Sequence, residues 1–361
     1  MVFHTCHLWA TTSSWSRVVP PHAHQQQHGS CRHSGNRQLT CNAGHKSVQG
    51  TNAGPSNSDV NRRGVLSGLG VVLLLGVAQP QASKAAEMDT VEETAFNAYS
   101  EQDFKTASEA LTELLSQDSQ NPRWYEMRAQ VLVDGKNFEG ALSDFEDALK
   151  LTPPEALTDR ARLVAGRALA YEGVSKWQLA LDDYTEAVRL AAEGGEKLDP
   201  YVVNSIGNCY NSLGLWPEAR EKYLLSSELF QQAKGFRGRN GSTTQRLDGA
   251  IYSASNGALM LAQMGDEAGA LKEAERIARR APNSVDMRAA LAALYWAQGK
   301  PEAAESSWEY ACNGIMTGCS KYEDPDWLVR VRRWPPLMAE RLSQFLQLER
   351  NAAVSKKQSV V

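Results

Sequence analysis

From about Met88 onward, apolar and polar positions alternate in short amphipathic stretches that come in pairs, and small residues recur with a period of about 34. The stretch beginning at Pro200 shows the unit most clearly: Ile206-Gly207, Tyr210 and Gly214, then Ala219 and Tyr223. A small residue in the first helix and an alanine in the second let the two helices approach, while larger side chains fill the space around the contact. Gly214 stands where the first helix must stop. Aligning the second-helix alanines gives Ala107, Ala141, Ala180, Ala219, Ala270 and Ala304. The matching first-helix notches are Ala95, Ala129, Ala168, Gly207, Ala258 and Ala292.

This register predicts six helix pairs with uneven joints. Pro153 and Pro282 close two units, Asn121-Pro122 follows a longer linker, and Gly194-Gly195 precedes Pro200. A basic, glycine-rich stretch separates the fourth and fifth units, and it is expected to act as a hinge between two half-arrays. Beyond the sixth unit, a short helix to Arg333, the segment Trp334-Pro335-Pro336 and an amphipathic helix to about Arg350 read as a terminal cap.

With these notches and spacings the chain resembles the tetratricopeptide repeat (TPR) family over roughly residues 88–318. The resemblance implies an all-α, TPR-like α-solenoid of about six helix pairs with C-terminal capping helices. It also implies a non-enzymatic scaffold that binds a protein or peptide segment. The W-P-P segment behind such repeats is similar to TPR proteins of plants, algae and cyanobacteria, which implies a photosynthetic-membrane setting and a partner in a thylakoid complex.

The front of the chain differs in character. Residues 1–60 hold one acid, Asp59, against Arg17, Arg32, Arg37 and Lys46, together with all seven histidines, as in an organelle transit peptide. Residues 61–85 pair Arg62-Arg63 with the apolar run Val65–Ala78, followed by Ser83-Lys84-Ala85, and read as a twin-arginine lumenal signal. The run falls short of the roughly 20 residues that span a bilayer, so cleavage near Ala85 is expected, with retention as an anchor the alternative. The expected location is the chloroplast thylakoid lumen. The expected divisions continue with 86–233 for units 1–4, 234–250 for the basic loop and 251–318 for units 5–6. Residues 319–350 form the cap and 351–361 a disordered tail.

After residue 85 there remain 31 basic and 41 acidic residues, a net charge of −10, which disfavours nucleic acid and anionic lipid overall. No histidine remains, which removes imidazole catalysis, ligation and pH switching. No cofactor or metal set is expected. An enzyme of carboxylates or Ser-Lys is the least favoured class, since no nucleophile motif or P-loop is visible. A self-associating spacer is the alternative to the scaffold.

Four sets of residues stand out. Tyr201, Asn204, Asn208 and Asn211 share a helical face about 130° from the apolar stripe, and Tyr252 and Ser255 take equivalent offsets in unit 5. Such a face would line the inner groove of the solenoid, where amides both donate to and accept from a peptide backbone; solvated residues or bridges between units are the alternative. Glu126 and Gln130 stand where a carboxylate clamp would need Lys and Asn. Lys234, Arg237, Arg239 and Arg246 form the basic loop, either a site for an acidic segment or a solvated linker. Trp327, Arg330, Arg332, Arg333 and Trp334 either touch lipid headgroups or a membrane-protein loop, or bury their tryptophans in the cap with the arginines in water. Trp296 and Trp308 read as core. Cys312 and Cys319 lie about 10 Å apart if one helix holds both, but Gly314 and Gly318 could turn the chain back. A disulfide and two reduced, partly buried thiols both remain open.

Overall fold

The computed structural model describes the backbone of residues 80–232 and 245–358, with side chains from 88 to 232 and from 248 to 348. The transit reading, the Arg62-Arg63 pair and apolar run of the signal reading, and Lys234, Arg237 and Arg239 lie outside these residues, while residues 80–85 of the signal reading fall in the first helix; Arg246 is placed by backbone alone. Six helix pairs stack in chain order: α1 Pro80–Ser100 with α2 Phe104–Gln117, α3 Pro122–Asp134 with α4 Phe138–Leu151, and α5 Leu157–Gly173 with α6 Trp177–Glu193. Then come α7 Pro200–Ser212 with α8 Trp216–Gln232, α9 Gln245–Gln263 with α10 Glu267–Arg280, and α11 Val285–Ala297 with α12 Pro301–Glu309. A π turn, Tyr310–Gly314, and a 3-10 turn, Ser320–Glu323, lead to α13 Pro325–Arg330 and α14 Pro336–Gln358. The protein is an all-α, TPR-like solenoid.

Local chemistry sets the helix starts. The side chains of Asp103, Asn137, Asp266 and Ser284 each accept from a backbone N–H in the first turn of the helix they precede. Asn121, Asp199 and Asp324 do so ahead of Pro122, Pro200 and Pro325, whose missing N–H costs nothing at that position. Each turn inside a pair reverses through one left-handed residue, always five positions before the second-helix alanine: Gln102, Lys136, Ser175, Gly214, Gly265 and Gly299.

The notch register is realised in the packing. All six second-helix alanines are fully buried, as are the six first-helix notches. A Cβ on Gly207 would come within 2.7 Å of the Tyr223 ring, which shows how closely α7 and α8 approach. The core is a succession of local clusters shared by adjacent pairs, as expected for a quasi-one-dimensional stack. The largest runs from α8 to the C-terminal cap, where Met338, Leu342 and Phe345 of α14 are buried and α14 packs against α11 and α9.

Several expectations need correction. The flanks of the loop after Gln232, the expected hinge, are tied to one another: Ser227 Oγ donates to the Ala250 carbonyl at 2.8 Å, and Arg220 reaches both the Gly257 carbonyl and Glu273. Pairs four and five are thus joined by buried polar contacts as well as by apolar packing. Helix α9 begins at Gln245, ahead of the expected 251, and α14 continues to Gln358 through the stretch expected to be a disordered tail. No Pro or Gly interrupts residues 337–358, which explains the continuation. The helix expected to reach Arg333 stops at Arg330, and Arg333 adopts a left-handed conformation at φ 62°. Among the described residues, no helix is long and apolar enough to cross a membrane.

Candidate functional site

Successive first helices touch one another, α3 with α5, α5 with α7 and α9 with α11, and so form one wall of the stack, across which the chain's own residues 332–334 lie. Arg332 is almost fully buried, with 3% of its surface exposed. Its guanidinium donates through Nε to Asp286 Oδ1 at 2.7 Å, pairs again through Nη2 with Asp286, and donates through Nη1 to Asn256 Oδ1 at 2.7 Å. It also lies 4.3 Å over the Tyr252 ring. The Trp334 indole N–H donates to Asp286 at 3.0 Å. Arg333 reaches the other way along the wall, pairing with Glu172 at 3.4 Å and covering the Trp177 ring at 4.3 Å. The Arg333 carbonyl accepts from Asn211 Nδ2 at 2.9 Å. One short strap therefore joins α5, α7, α9 and α11.

Helix α14 continues this covering. Gln263 accepts from the Leu337 backbone N–H at 2.9 Å, Arg341 pairs with Glu267, and Phe345 packs against Trp296 and Trp308. Both tryptophans are partly buried against the core, in line with their reading as core residues.

The expected groove residues divide. Asn211 holds a polypeptide backbone, and Tyr252 receives a cation from the same segment, but the occupant is the chain itself. Asn204 and Asn208 do not face open solvent. Asn204 accepts from Ser253 at 3.1 Å and Asn208 from the Tyr223 hydroxyl at 3.0 Å, inside a network that includes Ser226 and the Pro200 carbonyl. They tie α7 to α8 and α9. Ser255 is buried and bonds back to the Ile251 carbonyl, and Tyr201 packs edge-on to Phe230. The alternative reading of this face, bridges between units, describes Asn204, which meets Ser253 of the next pair, while Asn208 bridges within its own pair to Tyr223.

The C-terminal cluster follows the cap reading for its tryptophans, with Trp334 fully buried, and departs from it at Arg332 and Arg333, which are not left in water. Arg330 is exposed and pairs with Asp326, while Trp327 is partly buried against Tyr322. Arg332 faces a carboxylate in the interior and not water, because Asp286 offers its charge a bidentate partner. Cys312 and Cys319 are joined by a disulfide with Cα atoms 4.5 Å apart; the chain doubles back after Gly314, with Gly318 at φ 65°. The bond sits directly before the 3-10 turn that carries Tyr322.

Glu172, Asn256 and Asp286 were missed. A signal for two of them was present: Asp286 stands six residues before its notch, as Tyr201 and Tyr252 do, and Glu172 four residues after its notch, as Asn211 does. Burial pushes the Glu172 carboxyl above the ordinary carboxylate range, against the pull of the Arg333 charge and of hydrogen bonds from Tyr184 and Ser205.

The wall of the first three pairs is lined differently. Arg123 pairs with Glu92, Arg162 with Glu126 and with Asp159, and the Tyr99 hydroxyl donates to Asp134 at 2.6 Å. Phe96, Tyr99, Gln130 and Leu169 stay partly exposed there. Burial raises the Cys209 thiol, so it is held protonated and unreactive. Among the described residues, no group of three His, Cys, Asp or Glu side chains is arranged to hold a metal ion.

Residues 96–156 match the profile of a tetratricopeptide repeat family. No curated protein matches the sequence. Among solved structures, the apo form of RapI is 14% identical with a TM-score of 0.53, over 75% of this chain and 99% of that one. A tetratricopeptide repeat protein from Parabacteroides merdae is 16% identical with a TM-score of 0.50, over 75% of this chain and 96% of that one. At such identities the likeness is one of fold: the chain is similar to tetratricopeptide repeat proteins in its helical stack, and in sequence through residues 96–156.

Proposed function

We propose that this protein is a non-enzymatic scaffold that holds polypeptide along the wall formed by its first helices. The observation that carries the reading is the hydrogen bond from Asn211 to the Arg333 carbonyl, because it is a main-chain contact of the kind an extended peptide would receive. The strap reaches only as far as Glu172 and Trp177. Beyond it the same wall continues through Leu169, Gln130 and Tyr99, which retain surface for a partner segment. A solenoid gains affinity there from many modest contacts spread over a long face.

The finer reading is an assembly or adaptor factor for a thylakoid protein complex, in the lumen and in peripheral contact with the membrane. Its support is the acid-poor leader, the Arg62-Arg63 signal and the resemblance of the W-P-P segment to proteins of photosynthetic organisms. The partner would be a subunit of a photosynthetic complex.

Cross-linking capture from isolated thylakoids, comparing the native chain with a Tyr99→Ala, Gln130→Ala, Arg162→Ala variant, tests both levels. Loss of a specific subunit from the variant's catch supports the scaffold. Equal recovery of every protein by both would retire it, and exclusion of the chain from the lumen on fractionation would retire the setting.

A further inference from the structure

We infer that the first-helix wall of pairs three to six is a recognition surface for an extended partner segment of the type Arg-Arg-aromatic, occupied in this structure in cis by residues 332–334. The inference rests on the reading of that wall as a polypeptide-binding face.

The wall's chemistry defines the ligand. Two acids spaced along it, Glu172 and Asp286, each take one arginine, and each arginine also lies over an aromatic ring, Trp177 or Tyr252. Guanidinium groups suit this double environment, since they bind carboxylates in a planar fork and stack on rings. An indole N–H completes the set at Asp286. The fork is formed at Asp286, where Arg332 bonds through two nitrogens, whereas Arg333 makes a single contact with Glu172; lysine offers neither that fork nor the flat face that lies over both rings, so the site favours arginine.

The cis segment fills this surface imperfectly, in three respects. Asn211 gives its Nδ2 to the strap, while its buried Oδ1 finds no partner among the described groups. Asn256 accepts from Arg332, while its buried Nδ2 is likewise unpartnered. A buried amide half-used in this way is a standing cost, which a backbone N–H reaching Asn211 Oδ1 and a carbonyl reaching Asn256 Nδ2 would remove. Arg333 also carries a left-handed backbone at φ 62°, a conformation that disfavours residues other than glycine and that an unconnected segment need not adopt. The chain entering the strap is at the surface, with Val329 and Val331 exposed, so a partner has access from that end.

The test uses a labelled peptide of residues 330–336, titrated into the full native chain and into an Arg333→Ala variant. That change removes the cis contacts with Glu172 and Trp177 and leaves the wall itself intact. The variant is expected to bind at least about tenfold more tightly than the native chain, since the competing cis occupant holds its place less often. A peptide with both of its central arginines changed to glutamate should not bind. Absence of binding by a variant with native helicity overturns the inference, as does equal affinity for the charge-reversed peptide. Concentration-dependent dimerisation in place of peptide uptake also overturns it, in favour of strap exchange between copies. If the variant loses helicity, hydrogen exchange at residues 331–334 of the native chain under excess peptide decides: faster exchange supports displacement, and unchanged exchange rules it out. Failure here with partner capture retained would sink only this inference, because the capture variant alters the first three pairs alone.

Discussion

Asn211 donates through Nδ2 to the main-chain carbonyl of Arg333, 122 residues later in the chain, at 2.9 Å. The contact pins the strap to α7 without belonging to the α7–α8 interface. Asn211→Ala is therefore expected to lower stability by about 1 kcal/mol, the net worth of one such bond. Amide exchange should quicken at residues 332–334 and stay unchanged in α8. Asn208→Ala should do the reverse, since it leaves the buried Tyr223 hydroxyl without its acceptor. Residue-resolved hydrogen exchange on the two variants separates these outcomes.

The ion pair at the other end of the strap is expected to have a larger effect. Asp286→Ala leaves the Arg332 guanidinium buried without its carboxylate and removes the acceptor of the Trp334 indole. Stranding a buried charge costs about 3–5 kcal/mol, which denaturant unfolding would resolve easily. Asp326→Ala breaks the pair with exposed Arg330 and should leave the unfolding midpoint where it was, because water already solvates both groups.

These two contacts also mark the boundary of what the sequence disclosed. The helix pairs were legible because close approach demands a small residue, and the notches from Ala95 to Ala292 repeat that demand at one offset. The strap was not legible. Arg332 meets Asp286 across 46 residues and Arg333 meets Glu172 across 161, and no local periodicity encodes a return of that kind. The α7 asparagines were seen, but the choice between groove, solvent and bridge stayed open, since three amides on one face look alike whether they meet solvent or Ser253 and Tyr223. Applying the offsets of Tyr252 and Asn211 to every pair would have reached Asp286 and Glu172, and two acids in those positions are a cue to search for buried cations.

The turns inside the pairs offer a stabilising change. Gln102, Lys136 and Ser175 hold the left-handed position that Gly214, Gly265 and Gly299 hold in the other pairs. A side chain there costs about 1–2 kcal/mol. Glycine would return about 0.4–1 kcal/mol of that through the greater freedom of the unfolded chain. Lys136→Gly is thus expected to raise stability by about 0.5–1 kcal/mol. Gly265→Ala should lower it by a similar amount, since a Cβ there meets nothing within 4 Å and only the backbone resists. Chemical denaturation of the two single variants checks the pair of signs.

The disulfide closes a short loop between Cys312 and Cys319, just ahead of Tyr322, whose ring touches those of Trp327 and Trp334. Cross-linking a loop of this length restricts the unfolded chain by about 2–3 kcal/mol. Cys312→Ser is expected to lose about that much in unfolding free energy. Reduction with a dithiol should lower the native chain to the level of the variant and leave the variant itself unmoved. A native chain insensitive to reduction under conditions that open the bond would show that the loop contributes nothing.

The buried carboxyl of Glu172 ties stability to pH with a definite sign. Burial raises its folded-state pKa above the unfolded value of about 4.3, despite the opposing Arg333 charge. Between those two values the native state binds more protons than the unfolded state, so stability contributed by this group falls as pH rises through the window. It is fully present below the unfolded pKa and lost above the folded one. Glu172→Gln keeps the shape of the side chain and an acceptor for the Tyr184 hydroxyl but removes the titration. The difference in unfolding free energy, native minus variant, is therefore expected to increase as pH is lowered from 7 towards 4. A difference that shrinks over this range would mean that the pair with Arg333 outweighs the cost of burying the charge.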